Sequence, residues 1–176
     1  MTRALQAEGA VAWIFQAGPN RWRITDYLQD AQRDAELRET IWTISPPSYA
    51  ELMEVDQPVF VWRAAGEHKP PLPPGIVAVA RITGRPTIMP DDKPAYRVDP
   101  YDSQFAGDAL RVPIHIEAFL LDRPLSQTAL QHNNDLKPAL SNLTIFNWAR
   151  QSTTYPVYAE QLPFLQRACA ARATKG

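Results

Sequence analysis

Hydrophobic and polar positions alternate in short blocks along this chain, with few runs long enough for an extended helix. Val11 to Gln16 is an apolar run stopped by Gly18-Pro19, and it predicts a buried strand. Thr25 can cap a helix expected from Asp26 to about Arg38, with Tyr27, Leu28, Ala31, Ala35 and Leu37 as an imperfect apolar face. Ile41 to Ile44 reads as a short strand ended by Pro46-Pro47, and Tyr49 to Met53 as one helical turn. In PVFVWR (Pro58 to Arg63) the period of two places Val59 and Val61 on one face and Phe60 and Trp62 on the other. Gly75 to Thr83, GIVAVARIT, predicts a central strand. Val112 to Leu121 predicts another, with Pro113 expected at an edge or at the strand's start because proline donates no ladder bond. Residues 86–108 are rich in proline and aspartate and read as irregular. Ser126 opens a short polar helix, SQTALQH. Ala159 to Ala171 closes the chain as a helix with Leu162, Leu165 and Cys169 at helical spacing and Pro163 in its first turn.

The strands are not separated regularly by helices, which argues against a doubly wound parallel sheet. An α+β fold is expected: a small mixed β-barrel flanked by helices. The expected organisation is a flexible leader over residues 1–10, a single domain over 11–171 and a tail over 172–176. There are no internal repeats. KPPLPPG reads as a stiff connection between two strands, possible alternatives being a border of a binding site or a polyproline ligand for a partner's aromatic groove.

Composition sharpens this picture in three places. A chain of 176 residues can bury a real core as one domain. Seventeen prolines against seven glycines favour short strands and rigid loops over a helical bundle. The net charge of -1 leaves no whole-protein field to attract nucleic acid, so any such binding needs a local basic patch. One cysteine, Cys169, excludes an internal disulfide and a cysteine-cluster zinc site. No signal sequence and no apolar run of about 20 residues is evident, so a cytoplasmic protein without a membrane partner is expected.

Catalytic signatures are missing: there is no GxSxG, P-loop, GxGxxG or HExxH. His68, His115 and His132 show no ligand spacing, and His115 reads as a hydrogen-bonded structural histidine. Asp91-Asp92 reads as a solvated loop pair rather than a metal site. No catalytic residue, metal or cofactor is therefore expected. An enzyme acting on a nucleotide-like ligand is the rival reading, with Asp102, Glu117 and His115 as its candidate acids and bases.

The aromatic residues carry more. Trp22 lies between Arg21 and Arg23, Trp42 precedes a proline turn, and Trp62 ends a strand before Arg63 and a small-residue turn. Trp13, Tyr101 and Trp148 complete the set, Trp13 being expected in the barrel core or partly lining a pocket. Rings at strand ends are placed to wall a pocket for a planar ligand, on which stacking contributes ~1–3 kcal/mol per base. Arg21, Arg23, Arg63, Arg81, Arg85 and Arg150 could hold flanking phosphates, with Arg97 and Arg111 weaker candidates; the alternative is that they are ordinary solvated charges. Gln16 and Asn142 could read a base edge.

Taken in order, AWIFQAGPNRWRI, TIWTISPPSYAELMEVDQPVFVWRAAG, GIVAVARI, PYDS, VPIHIEAFLLDRPLS and NLTIFNWARQSTTYPVYAEQ resemble the EVE domain family, a branch of the PUA-like fold related to YTH domains. The resemblance implies a pocket for a flipped-out modified base, such as 5-methylcytosine, 5-hydroxymethylcytosine or N6-methyladenine, in DNA or RNA. Trp42 matches a pocket-wall tryptophan, Tyr101 a tyrosine in the loop between the long barrel segments, Trp62 and Arg63 the strand end beside the pocket, and Gln16 and Ala17 the end of the first strand. With Trp22 and Thr43 these form the expected base pocket, and Arg21, Arg23, Arg63, Arg85 and Arg150 the expected backbone contacts. The chain departs from the family pattern at Ala64-Ala65-Gly66, in the insertion HKPPLPP and at Pro46-Pro47. These departures bear on ligand identity more than on fold.

Overall fold

The computed structural model describes residues 7–66, 72–132, 143–148 and 153–173, without the side chains of 147 and 148. Eight strands form one curled sheet: β1 (Ala12–Ala17), β2 (Glu39–Thr43), β3 (Pro58–Arg63), β4 (Gly75–Ile82), β5 (Thr87–Met89), β6 (Ala109–Phe119), β7 (Leu125–Ser126) and β8 (Thr154–Val157). The order is β2-β6-β4-β3-β1-β8, with β5 added to β6 and β7 to β4. β1 and β3 run parallel, and the other pairs are antiparallel. Four helices complete the described fold: α1 (Ile24–Arg33), α2 (Gln127–His132), α3 (Thr144–Trp148) and α4 (Leu162–Ala170). None of the described helices is long and apolar enough to cross a membrane.

The sheet curls into a half-barrel far enough for its two ends to meet. Ser45, just past β2, accepts from the backbone N–H groups of Thr153 and Thr154 at 3.2 and 3.3 Å, and from the Thr154 hydroxyl at 3.0 Å. Thr43 O accepts from Thr153 Oγ1 at 2.7 Å. Those main-chain and side-chain bonds close the gap between β2 and β8 where no full ladder forms, and so satisfy edge groups that would otherwise be buried without partners.

Period-two alternation divides the apolar residues between two cores. Trp13, Phe15, Val59, Val61, Ile114 and Ile116 pack with Trp22, Tyr27 and Leu28 around α1. Ile14, Phe60, Trp62, Ile76, Tyr155 and Val157 pack with Leu165 and Cys169 of α4. Trp13 is core, fully buried, with Nε1 donating to Gln57 Oε1 at 2.8 Å. Burial pushes the Cys169 thiol up to about 12, consistent with a packing role.

Several expectations change. The single helix expected over Asp26 to Arg38 is two pieces, α1 and a 3-10 turn over Ala35–Arg38, because Asp34 is extended and its carboxylate accepts from Glu36 N–H. Thr25 does not cap α1; its hydroxyl accepts from Arg63 Nη1 at 3.1 Å instead. Pro113 lies inside β6, between β2 and β4. It is tolerated because β4 pairing ends beside it: Thr83 N–H donates to Pro113 O, and the return bond that proline cannot make is where the ladder stops. The supposedly irregular 86–108 contains β5 and a 3-10 turn at Pro94–Tyr96. Residues 7–10 of the expected leader form a turn whose Ala7 is buried. Ser126 caps α2 through its hydroxyl, which accepts from Ala129 N–H at 3.1 Å. Of KPPLPPG, positions 69–71 lie outside the described residues; Pro74 O accepts from Gln127 N–H and Gly75 begins β4.

Candidate functional site

A cavity of about 420 Å³ opens where the ends of the sheet meet. That volume falls in the range of small-ligand pockets, roughly 300–1,000 Å³. One wall is the end of β1 and the turn after it: Gln16, Ala17, Gly18, Arg21 and Trp22. The second is β2 and the closing seam, with Ile41, Trp42, Thr43, Ser45 and Thr153. The third comes from the segment between β5 and β6, which supplies Arg97, Gln104 and Phe105.

Aromatic rings dominate the floor. Trp22 and Trp42 meet edge to face, with centroids 4.5 Å apart and planes at 62°. Trp42 packs on Phe15 at 5.7 Å, and Trp22 stacks on Tyr27 at 5.6 Å. The Arg97 guanidinium sits 4.4 Å from the Trp22 ring and 4.0 Å from the Phe105 ring, bridging the two. The backbone holds that bridge in place: Trp22 and Arg97 form an antiparallel β-bridge, Arg23 N–H donates to Tyr96 O at 2.8 Å, and Val98 N–H donates to Arg21 O at 2.9 Å.

Arg97 also grips Asp91 with two parallel bonds, Nε to Oδ2 at 2.9 Å and Nη2 to Oδ1 at 2.8 Å. Burial pushes the Asp91 carboxyl up, but the Arg97 hydrogen bonds and charge outweigh it, and the group is held below the usual carboxylate range. Two buried donors of the cavity wall, Trp22 Nε1 and Arg97 Nη1, have no acceptor among the described residues. Arg111 anchors the third wall from beneath. Its Nη1 donates to Met89 O and, at 3.0 Å, to Gly107 O; its Nη2 donates to Phe105 O at 2.9 Å. Gly107 turns with φ of 74°, a left-handed conformation that glycine adopts without strain, and so offers its carbonyl to Arg111. Burial lowers the Arg111 pKa, with no consequence for its charge near neutrality.

Of the residues expected at the site, Gln16, Ala17, Trp22, Trp42, Thr43 and Arg21 come together on the cavity. Trp22 is buried in the floor. Arg21 stands at the edge, 59% exposed, with Nη1 donating to Gln104 Oε1 at 2.6 Å and a looser ion pair to Asp102 at 3.6 Å.

The remaining candidates lie elsewhere. Trp62 follows Phe60 onto the opposite face of β3, where it meets Phe146 edge to face at 6.1 Å. Tyr101 is 88% exposed on the loop surface and does not line the cavity. Arg63 is buried, donates Nη1 to Thr25 Oγ1 and does not line the cavity, so its position gives a phosphate at the surface no access to it. Arg23 is half exposed, bonded to Ala95 O and loosely paired with Asp26 at 3.9 Å, outside the cavity. Arg85 is exposed on the turn after β4, also outside it. Arg150, Asn142 and His68 lie outside the described residues, as does the Trp148 side chain. His115 is half exposed and bonded to Glu39 at 2.6 Å. Sequence reasoning passed over Gln104, Phe105, Ser45 and Thr153 and ranked Arg97 low. Only the rule that a buried arginine needs a planar acid partner links Arg97 to Asp91 in advance.

No family model matches the sequence, and no curated protein matches it. Solved structures do. A hypothetical protein from Leishmania major superimposes with a TM-score of 0.60 at 18% identity, covering 94% of this chain and 98% of its own. Human THYN1, solved in complex with 5-methylcytosine-containing DNA, gives 0.59 at 15% identity over 89% of this chain and 96% of its own. The DUF55 domain of human thymocyte nuclear protein 1 gives 0.58 at 16% identity, covering 89% and 97%. At these identities the likeness establishes architecture: the chain has the PUA-like fold of the THYN1/DUF55 domains, the fold that the resemblance to EVE domains implied.

Proposed function

We propose that this protein is a non-catalytic reader that takes a modified nucleobase of DNA or RNA into the cavity. The observation that carries the reading is the cavity itself, with aromatic residues Trp22, Trp42 and Phe105 set among the polar groups of Gln16, Thr43 and Arg97. Support comes from the fold, since a protein that shares it, human THYN1, has been captured with DNA containing 5-methylcytosine. Unstacking a base costs a few kcal/mol, which aromatic contacts and hydrogen bonds in the cavity must return. Arg21, exposed at the rim, is placed for a phosphate contact. None of the candidate acids and bases lines the cavity: Asp102 lies 3.6 Å from Arg21, Glu117 bonds Arg81 at 2.7 Å, and His115 bonds Glu39.

The test is titration of labelled oligonucleotides that differ only in one base: unmodified, 5-methylcytosine, 5-hydroxymethylcytosine or N6-methyladenine, in single and double strands. One modified base should bind at least about tenfold tighter than its parent, roughly 1.4 kcal/mol. Trp42→Phe and Gln16→Ala should erode that preference, whereas Arg21→Ala should weaken all sequences alike and lower the salt slope by about one. Equal weak binding of every oligonucleotide, unchanged by Trp42→Phe, would overturn the reading.

A further inference from the structure

Aromatic cages usually accept a cation from the ligand. Here the slot between Trp22 and Phe105 already holds one, the guanidinium of Arg97, at 4.4 and 4.0 Å from the two rings. It is held from behind by Asp91, which does not line the cavity, whereas Arg97 does. The Arg97 side chain is only 4% exposed, and its Nη1 has no acceptor among the described residues. The Trp22 indole N–H, on the same wall, has none either. A buried donor left without an acceptor is unfavourable, and a ligand that supplies one relieves that cost. The cavity wall is therefore donor-rich and presents the positive end of the Arg97–Asp91 pair.

We infer that Arg97 is the specificity-determining residue of the cavity, selecting a neutral base whose ring acceptor is free and rejecting a cationic base methylated on that acceptor. The inference rests on the base-reader proposal and deepens it. Arg97 Nη1 and Trp22 Nε1 are both buried from solvent, so a neutral pyrimidine or purine edge offers its carbonyl oxygen or ring nitrogen to them as the side chains shift to admit it. Moving the methyl group onto the ring nitrogen removes that acceptor and adds a charge of the same sign as the guanidinium, at unchanged size. Both losses act in a site of low dielectric, where they weigh more than in water.

The experiment compares pairs of oligonucleotides in which only the methyl position moves: 5-methylcytosine against 3-methylcytosine, and N6-methyladenine against N1-methyladenine. Dissociation constants come from anisotropy of a terminal label. For the pair that contains the preferred base, the neutral member should bind at least about tenfold tighter, and in Arg97→Met with Asp91→Asn the gap should fall below about threefold. The double substitution removes both charges of the pair together; if it fails to fold, Arg97→Met with Asp91→Leu, an apolar replacement of the pair, is read against the same threefold limit. Equal binding of neutral and cationic members by the wild type, or a gap that survives in a folded double variant, overturns the inference while leaving the reader intact. If no oligonucleotide binds, the same two pairs of free nucleosides are added at millimolar concentration and the indole N–H resonance of Trp22 is followed. A shift with the neutral member only supports the Arg97 role and sinks the nucleic-acid reading; no shift with either sinks both.

Discussion

The cavity has two kinds of wall. Gln16, Ala17, Trp42 and Thr43 stand on strands whose backbones are laddered, β1 between β3 and β8, and β2 along β6. Arg97, Gln104 and Phe105 stand on a segment whose only regular pieces are three-residue β5 and a 3-10 turn. Beyond the short backbone bridge at Trp22–Arg97, that loop wall is held by side chains: Arg111 on three carbonyls, Arg97 on Asp91, and Arg21 on Gln104. A laddered wall is insensitive to most single substitutions, because its bonds are between main chains. A tethered wall concentrates its stability in a few charged groups, so it should fail earlier and at identifiable residues.

The largest effect should come from Arg111→Met. Methionine replaces much of the buried stem but leaves Met89, Gly107 and Phe105 carbonyls without their donor, each costing about 1–3 kcal/mol if it stays buried. A stability loss of roughly 4 kcal/mol is expected in urea denaturation. Hydrogen exchange should rise across 87–107 well before it rises in β1 or β2. A uniform rise over both walls would mean that the loop is not a separate unit.

Asp91→Asn should cost less, about 2 kcal/mol, because asparagine keeps one acceptor and escapes the roughly 3–5 kcal/mol of a fully orphaned buried charge. The sign with pH follows from the depressed carboxyl pKa. Its stabilising contribution is complete well above the unfolded value of about 3.9 and is lost as pH falls below that value through the lower folded one. Wild type and variant should therefore differ by a constant amount from pH 6 to 8 and converge below about pH 4. A gap that persists undiminished at pH 2 would show that the contact acts by shape rather than by charge.

The same contrast explains what the sequence disclosed. The strand wall was legible because its signals are local: apolar runs, proline stops and a period of two. That period also held the correction for Trp62, since Val61 and Trp62 cannot share a face of β3 while Phe60 and Trp62 must. Resemblance placed Trp62 beside the pocket, and alternation carries it to the face of β3 away from this cavity. The loop wall was illegible because its order comes from contacts with no period. Arg111 reaches carbonyls on both sides of a turn, and Arg97 becomes a wall residue only once Trp22 and Phe105 flank it. Thr25 shows the same limit: its helix-capping signal is sound, yet a strand arginine 38 residues away takes its hydroxyl.

The smallest effect, and the sharpest check on the tethered wall, should come from Tyr101→Ala. The ring is 88% exposed, and the local turn is held by Tyr101 N–H donating to Asp99 Oδ1 at 2.9 Å, a bond that alanine keeps. Stability should change by no more than about 0.5 kcal/mol. The ratio of affinities for modified and unmodified oligonucleotides should also hold, because the ring does not line the cavity. A tyrosine stacked on the bound base would instead contribute ~1–3 kcal/mol, enough to collapse the ratio about tenfold. Collapse without loss of stability would require the segment carrying Tyr101 to swing over the ligand, breaking the Arg21–Gln104 tether as it moved. The third wall would then be a lid rather than a fixed surface, and Arg21→Ala should ease its closing.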